Sequence, residues 1–153
     1  HTRFRNVTGV QTCALPISQE KPEFRYGNIS THGGWPVDTD GYAVFALRNG
    51  AHAHLEWGTG RAYRNEVDIW GEVGSVYSDK IFSKPLDHVP VFHLRDLRGV
   101  VSSEHGEAAD HFLSMLRHFR GLVDDSRATE AERMRIAERA EMLDRIWSTC
   151  RPQ

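Results

Sequence analysis

Cysteine is nearly missing from this chain. Of the two cysteines in 153 residues, Cys13 lies in a segment that does not read as native protein. Cys150 then stands alone, and no disulfide framework is possible. That usage predicts a cytoplasmic protein. No apolar stretch approaches the roughly 20 residues that span a bilayer, so no membrane partner is expected. No basic run interleaves with aromatic residues, which argues against nucleic acid as a partner. The chain also lacks any internal repeat or low-complexity segment.

Residues 1–18 read as a translated sequencing adapter, which points to a metagenomic short read. Val7 to Ile17 match a common library adapter codon by codon, and His1-Thr2-Arg3 match its primer tail. Such a segment is excluded from fold reasoning. The expectation is that the gene continues upstream of Gln19. Removing 18 residues from 153 leaves 135, enough for one domain with its own core and too few for a typical two-domain enzyme. Without Arg3 and Arg5 the 19 basic residues become 17, against 21 acidic ones, a net charge of −4.

Residues 19–41 are rich in Gly, Pro, Asn and Asp and read as a loop with room for one short strand. Asn49-Gly50 then separates two alternating runs, the pattern of a two-residue hairpin turn. That register sets Val44 opposite Leu55 and Tyr42 opposite Trp57 on an apolar face. The other face then carries Leu47 with His52, Phe45 with His54, and Ala43 with Glu56. It is mixed rather than polar, so a second protein surface is expected to cover it. A second hairpin turns at Glu72-Val73, with Val67, Ile69 and Val76 on the core side. Glu66, Asp68, Trp70, Ser75 and Tyr77 extend the mixed face. Residues 89–95 and 100–103 form a third strand pair.

The period changes after that. Phe112, Met115, Leu116, Phe119, Leu122 and Val123 mark one helical stripe. Thr129 and Glu132 read as a capping box opening a second helix, whose stripe is Ile136, Ala140, Leu143, Trp147 and Cys150. Strands succeeded by helices predict an α+β domain: an open, mainly antiparallel sheet with two C-terminal helices packed on one face.

Most candidate motifs fail on context. Glu20-Lys21-Pro22 abuts the adapter and no helix comes after it. Gly58-Thr59-Gly60-Arg61-Ala62-Tyr63 begins like a dinucleotide fingerprint, but Tyr63 stands where the third glycine belongs. The residues beyond Tyr63 alternate as a strand, so no helix N-terminus is available for a pyrophosphate. His52, His54 and Glu56, with Glu66 and Asp68 on a neighbouring strand, are ligand types for zinc, yet no known ligand spacing is present. No metal, no cofactor and no catalytic pair is expected within this chain.

From Asp40 onward the sequence resembles the C-terminal domain of the Gfo/Idh/MocA oxidoreductases. The residues that carry the likeness begin with Phe45-Ala46-Leu47-Arg48-Asn49-Gly50-Ala51 and His54-Leu55-Glu56-Trp57-Gly58. They continue through Tyr63-Arg64-Asn65-Glu66-Val67-Asp68-Ile69-Trp70-Gly71, Gly74-Ser75, Asp79 and Phe82-Ser83-Lys84-Pro85. Asp110-His111-Phe112 and residues 139–146 close it. The resemblance implies hydride transfer between NAD or NADP and a carbinol carbon of a sugar, nucleotide-sugar or cyclitol. It places the dinucleotide-binding domain and the proton-transfer residues upstream of Gln19, which would leave this piece inactive alone. It also implies a sheet face that meets a second subunit, giving a homo-oligomer. The expected interface residues are Phe45, Leu47, His52, His54 and Trp70. Tyr63, Arg64 and Asn65 are the candidates for hydrogen-bonding sugar hydroxyls, with Arg64 also suited to a phosphate. The alternative from another class is a non-catalytic α+β association module.

Overall fold

The computed structural model describes residues 22–150 apart from Pro36, Asn49 and Ser83. The adapter segment and most of Glu20-Lys21-Pro22 therefore lie outside the described residues. In chain order the elements are β1 (Glu23–Ser30), β2 (Asp40–Ala46), β3 (His52–Gly58), β4 (Glu66–Gly71), β5 (Gly74–Asp79), β6 (Val91–Asp96), β7 (Val101–His105), α1 (His111–Val123) and α2 (Ser126–Cys150). Every strand pairing is antiparallel, and the class is α+β. The strands form two open sheets, β1-β2-β3 and β4-β5-β6-β7, where a single sheet was expected. The described residues divide accordingly into two compact units, residues 22–61 with 130–150, and residues 62–129. No helix among the described residues is long and apolar enough to cross a membrane.

In the first unit, the segment expected to be mostly loop supplies the eight-residue strand β1, with a register shift between Phe24 and Tyr26. The first hairpin differs from expectation by one residue. Gly50 N–H donates to Leu47 O and Leu47 N–H to Ala51 O. The loop therefore holds three residues, and Gly50 takes the left-handed φ of 83° that ends such a turn. With one more residue in the turn, Phe45 pairs Ala53, Ala43 pairs Leu55 and Gly41 pairs Trp57. Because side chains alternate with period two, that slip exchanges the faces.

The expected interface set is corrected as a result. Phe45 is 0 % exposed and sits in this unit's own core with Ile29, Ala43, Leu55 and Trp57. His52 and His54 lie on the opposite face with Tyr42, whose ring meets His54 edge-on at 5.9 Å. Leu47 belongs to the turn, and Trp70 belongs to the other sheet. The five residues do not share a face. The strand β4 that carries Glu66 and Asp68 is not a hydrogen-bonded neighbour of the strand β3 that carries His52, His54 and Glu56.

The apolar sheet face is covered by the C-terminal half of α2. Met142 and Ile146 complete the buried cluster, flanked by Phe24, Ala53, Trp147 and Cys150. The helix is thus turned from the expected stripe, with Ile136 exposed. Gly27 is needed by the strand pairing itself: a Cβ there would stand 2.5 Å from Tyr42 O and 3.1 Å from Ala43 Cα of β2, while Cys150 Sγ of the helix lies at an ordinary 3.4 Å. The helix opens earlier than its capping box implied. Asp125 Oδ1 accepts from the N–H groups of Arg127 and Ala128 at 3.0 Å each, as a capping carboxylate does. Thr129 instead donates its hydroxyl to Leu122 O.

In the second unit the hairpins match expectation. Gly71 pairs Gly74 around Glu72-Val73, with Ile69 opposite Val76 and Asp68 opposite Tyr77. Val91–Asp96 and Val101–His105 form the third pair. Its turn is fixed by Asp96, whose Oδ1 accepts from Arg98 and Val100 N–H at 2.9 Å. Asp110 caps α1 by accepting from Leu113 N–H at 3.0 Å, and no residue of this helix is buried.

Candidate functional site

Tyr63, Arg64 and Asn65 lead into β4 at one end of the four-stranded sheet. Asn65 is the anchor of this corner. It is 8 % exposed; its Nδ2 donates to the Tyr63 hydroxyl at 2.9 Å, and its Oδ1 accepts from Phe82 N–H at 3.0 Å. These bonds tie the connection before β4 to the segment after β5. Buried polar groups need such partners, so Asn65 positions the corner, and the exposed Tyr63 ring is what the corner presents.

Arg64 Nε donates to Glu66 Oε1, and the other oxygen of Glu66 accepts from the Tyr77 hydroxyl at 3.1 Å. Tyr77 stacks on His93 with ring centroids 6.0 Å apart, and His93 Nδ1 lies 3.0 Å from Ser103 Oγ. One polar and aromatic row therefore crosses all four strands on the face that also carries Trp70. Burial, and after it the Glu66 carboxylate, pushes the Tyr77 phenol above its ordinary range. It is a hydrogen-bond donor at neutral pH and not a base.

The first unit holds a second cluster that sequence reasoning missed. Asp40, the first residue of β2, has a side chain only 8 % exposed. Its Oδ1 accepts from Arg61 Nε. Its Oδ2 accepts from the Thr39 hydroxyl at 3.1 Å and lies 3.2 Å from His32 Nε2. The Arg61 hydrogen bond holds the carboxyl below its ordinary range against the opposing effect of burial. Beside it, Asp38 Oδ2 accepts from Trp57 Nε1 at 2.9 Å. The signal in the sequence was Gly33-Gly34-Trp35 and Gly58-Thr59-Gly60-Arg61, glycines set beside an aromatic and a cation.

Gly58-Thr59-Gly60 leads into strand β4 and not into a helix, so the backbone donors that hold a pyrophosphate are not assembled there. Among the described residues no three His, Cys, Asp or Glu side chains converge as a metal site.

No protein-family model matches the chain. A curated relative, dTDP-3,4-didehydro-2,6-dideoxy-alpha-D-glucose 3-reductase of Actinomadura kijaniata, is 29 % identical over 88 residues, covering 54 % of this chain and 25 % of the relative. The chain is similar in fold to KijD10, a 3-ketoreductase from Actinomadura kijaniata. One substituted form of KijD10 with TDP-benzene and NADP superposes with a TM-score of 0.82 at 22 % identity, covering 92 % of this chain and 44 % of that one. The open conformation, also with TDP-benzene and NADP, gives 0.69 at 24 % identity over 76 % and 37 %. The chain thus spans less than half the length of the proteins it matches.

Proposed function

We propose that this chain is the C-terminal part of an NAD(P)-dependent oxidoreductase that acts on a sugar, and on a nucleotide-linked sugar in particular. The observation that carries this reading is the fold likeness to KijD10 over 92 % of the chain, with a 29 % sequence match to a 3-reductase of the same organism beside it. In this reading Tyr63 and Arg64 form part of the substrate wall. Tyr63 offers an exposed phenol whose orientation Asn65 fixes. Arg64 brings a guanidinium whose Nε edge is held by Glu66. A wall of this kind orients a hydroxylated ring by hydrogen bonds and leaves the chemistry to other groups. No step of the hydride transfer is assigned to these residues. The partner face is that of Trp70 and Tyr77, on which Trp70 is 85 % exposed, and a second copy is the proposed occupant in a two-fold contact.

The test is the reading frame upstream of Gln19 in the source DNA, together with assay of the complete protein. A nucleotide-binding domain running in frame into Gln19, with NAD(P)H-dependent reduction of a keto-sugar nucleotide, supports the proposal. Tyr63→Phe and Arg64→Gln are then expected to lower kcat/KM about tenfold each, the loss of one good polar contact. A start codon at Gln19 favours the association module and removes the enzyme reading.

A further inference from the structure

The end of the three-stranded sheet where Ser30, Asp40 and Gly58 are successive partners carries two exposed groups, each seated on a glycine. Trp35 is 64 % exposed. It is not a dangling side chain: a Cβ on Gly33 would stand 3.2 Å from its Cδ1 and 3.3 Å from its Nε1. The indole lies across bare backbone, with φ of 67° at Gly33 and 73° at Gly34 turning the chain beneath it. Arg61 is the second group, its side chain 69 % exposed. A Cβ on Gly58 would fall 2.9 Å from both Arg61 Cδ and Asp40 Oδ1. The missing side chain at Gly58 is what lets the arginine stem fold back so that Nε reaches the buried carboxylate.

We propose that this sheet end binds a nucleoside phosphate, its base stacked on Trp35 and its phosphate held by the terminal nitrogens of Arg61. Asp40 takes the Nε of the guanidinium and leaves the paired Nη donors, the planar fork that matches phosphate oxygens two at a time. Fixing the arginine beforehand lowers the entropy cost of using it. The Arg61 guanidinium balances the charge of Asp40, whose other oxygen is taken by Thr39 and His32. Asp38 keeps its charge but is buried and turned to the Trp57 indole. A neutral sugar could use the indole face but not the cation, and a bare anion could use the cation but not the indole. A base joined to a phosphate uses both. This site rests on residues other than the Tyr63 corner and does not depend on the redox reading.

Isothermal titration of the full chain with TDP, thymidine and inorganic pyrophosphate tests the proposal. TDP is expected to bind saturably, and thymidine and pyrophosphate each at least about tenfold more weakly, since base stacking and phosphate pairing are each worth on the order of one decade. Trp35→Ala is expected to weaken TDP about tenfold. Arg61→Lys keeps an ion pair for Asp40, and so the fold, but loses the fork; it should cost TDP a similar factor. Circular dichroism establishes that each variant is folded. Three results would overturn the site: no TDP binding at millimolar concentration, TDP affinity unchanged in both folded variants, or pyrophosphate binding as tightly as TDP.

Discussion

The two sheets solve the burial problem differently. All seven buried hydrophobic residues among those described, Ile29, Ala43, Phe45, Leu55, Trp57, Met142 and Ile146, belong to the three-stranded unit. In the four-stranded unit the buried residues are Asn65 and Ser78, both polar. Asn65 bonds Tyr63 and Phe82, and Ser78 Oγ donates to Val91 O at 2.9 Å. The first unit is held by apolar area removed from water, the dominant favourable contribution in folding. The second is held by backbone ladders, capped turns and side-chain bonds, which contribute about 1 kcal/mol net each. One sheet with a helix across it has a core. The other, with Phe112, Met115, Leu116 and Phe119 of α1 exposed, is rich in apolar surface without one.

The sharpest break of this comparison is Phe45→Asp. A charge in the core of the first unit is expected to cost more than about 4 kcal/mol and to unfold that unit. Phe119→Asp, on the exposed helix of the second, should stay within about 0.5 kcal/mol. Chemical denaturation of both variants reads the contrast, and equal losses would erase the distinction between the units.

Next in size is Asn65→Ala, which leaves Phe82 N–H without its acceptor. A cost of about 1–3 kcal/mol is expected, with faster amide exchange at Phe82 as the local sign. An unchanged exchange rate would show that Asn65 is not the anchor.

A smaller effect comes with acid. The Asp40 carboxyl titrates below its usual value in the folded state, chiefly through Arg61. Its stabilising contribution is therefore complete above the ordinary carboxylate range and fades as pH falls through the lowered folded value. Asp40→Asn should flatten that part of the acid-unfolding curve of the first unit and leave the second unit's curve alone. Deleting residues 1–18 is expected to have the least effect, with melting temperature essentially unchanged; a loss above about 1 kcal/mol would give the adapter segment a structural role.

Both later hairpins were legible because their turns are short and their alternation is clean: Glu72-Val73 admits one register, and the Asp96 turn another. The first was not. Asn-Gly fits a two-residue loop and a three-residue loop ending in glycine equally well, and the two place Phe45 on opposite faces. Strand β1 was obscured by Gly27 and Asn28, residues poor in strand propensity; Gly27 is required there by the close backbone of β2, 13 and more residues away in sequence. In α2 the apolar positions outnumber those the sheet can cover, so periodicity found the helix but not its rotation. At the candidate site the Tyr63-Arg64-Asn65 run was visible. The division of labour within it was not, because the Phe82 N–H that holds Asn65 is 17 residues away in sequence. The Asp40 cluster was missed for the same reason: its two glycine-rich signals are far apart in sequence, the arginine being 21 residues distant.

The thiol of Cys150, lying over Gly27 at the last turn of α2, makes the first unit its own stopwatch. Burial raises its pKa, and the thiolate is the form that reacts. The thiol is only half-buried, so a reagent meets it slowly while the helix end is seated and faster when that end lifts from the sheet. With Cys13 replaced by serine, a change in the rate of that single modification reports a change in how firmly α2 holds the strands it covers.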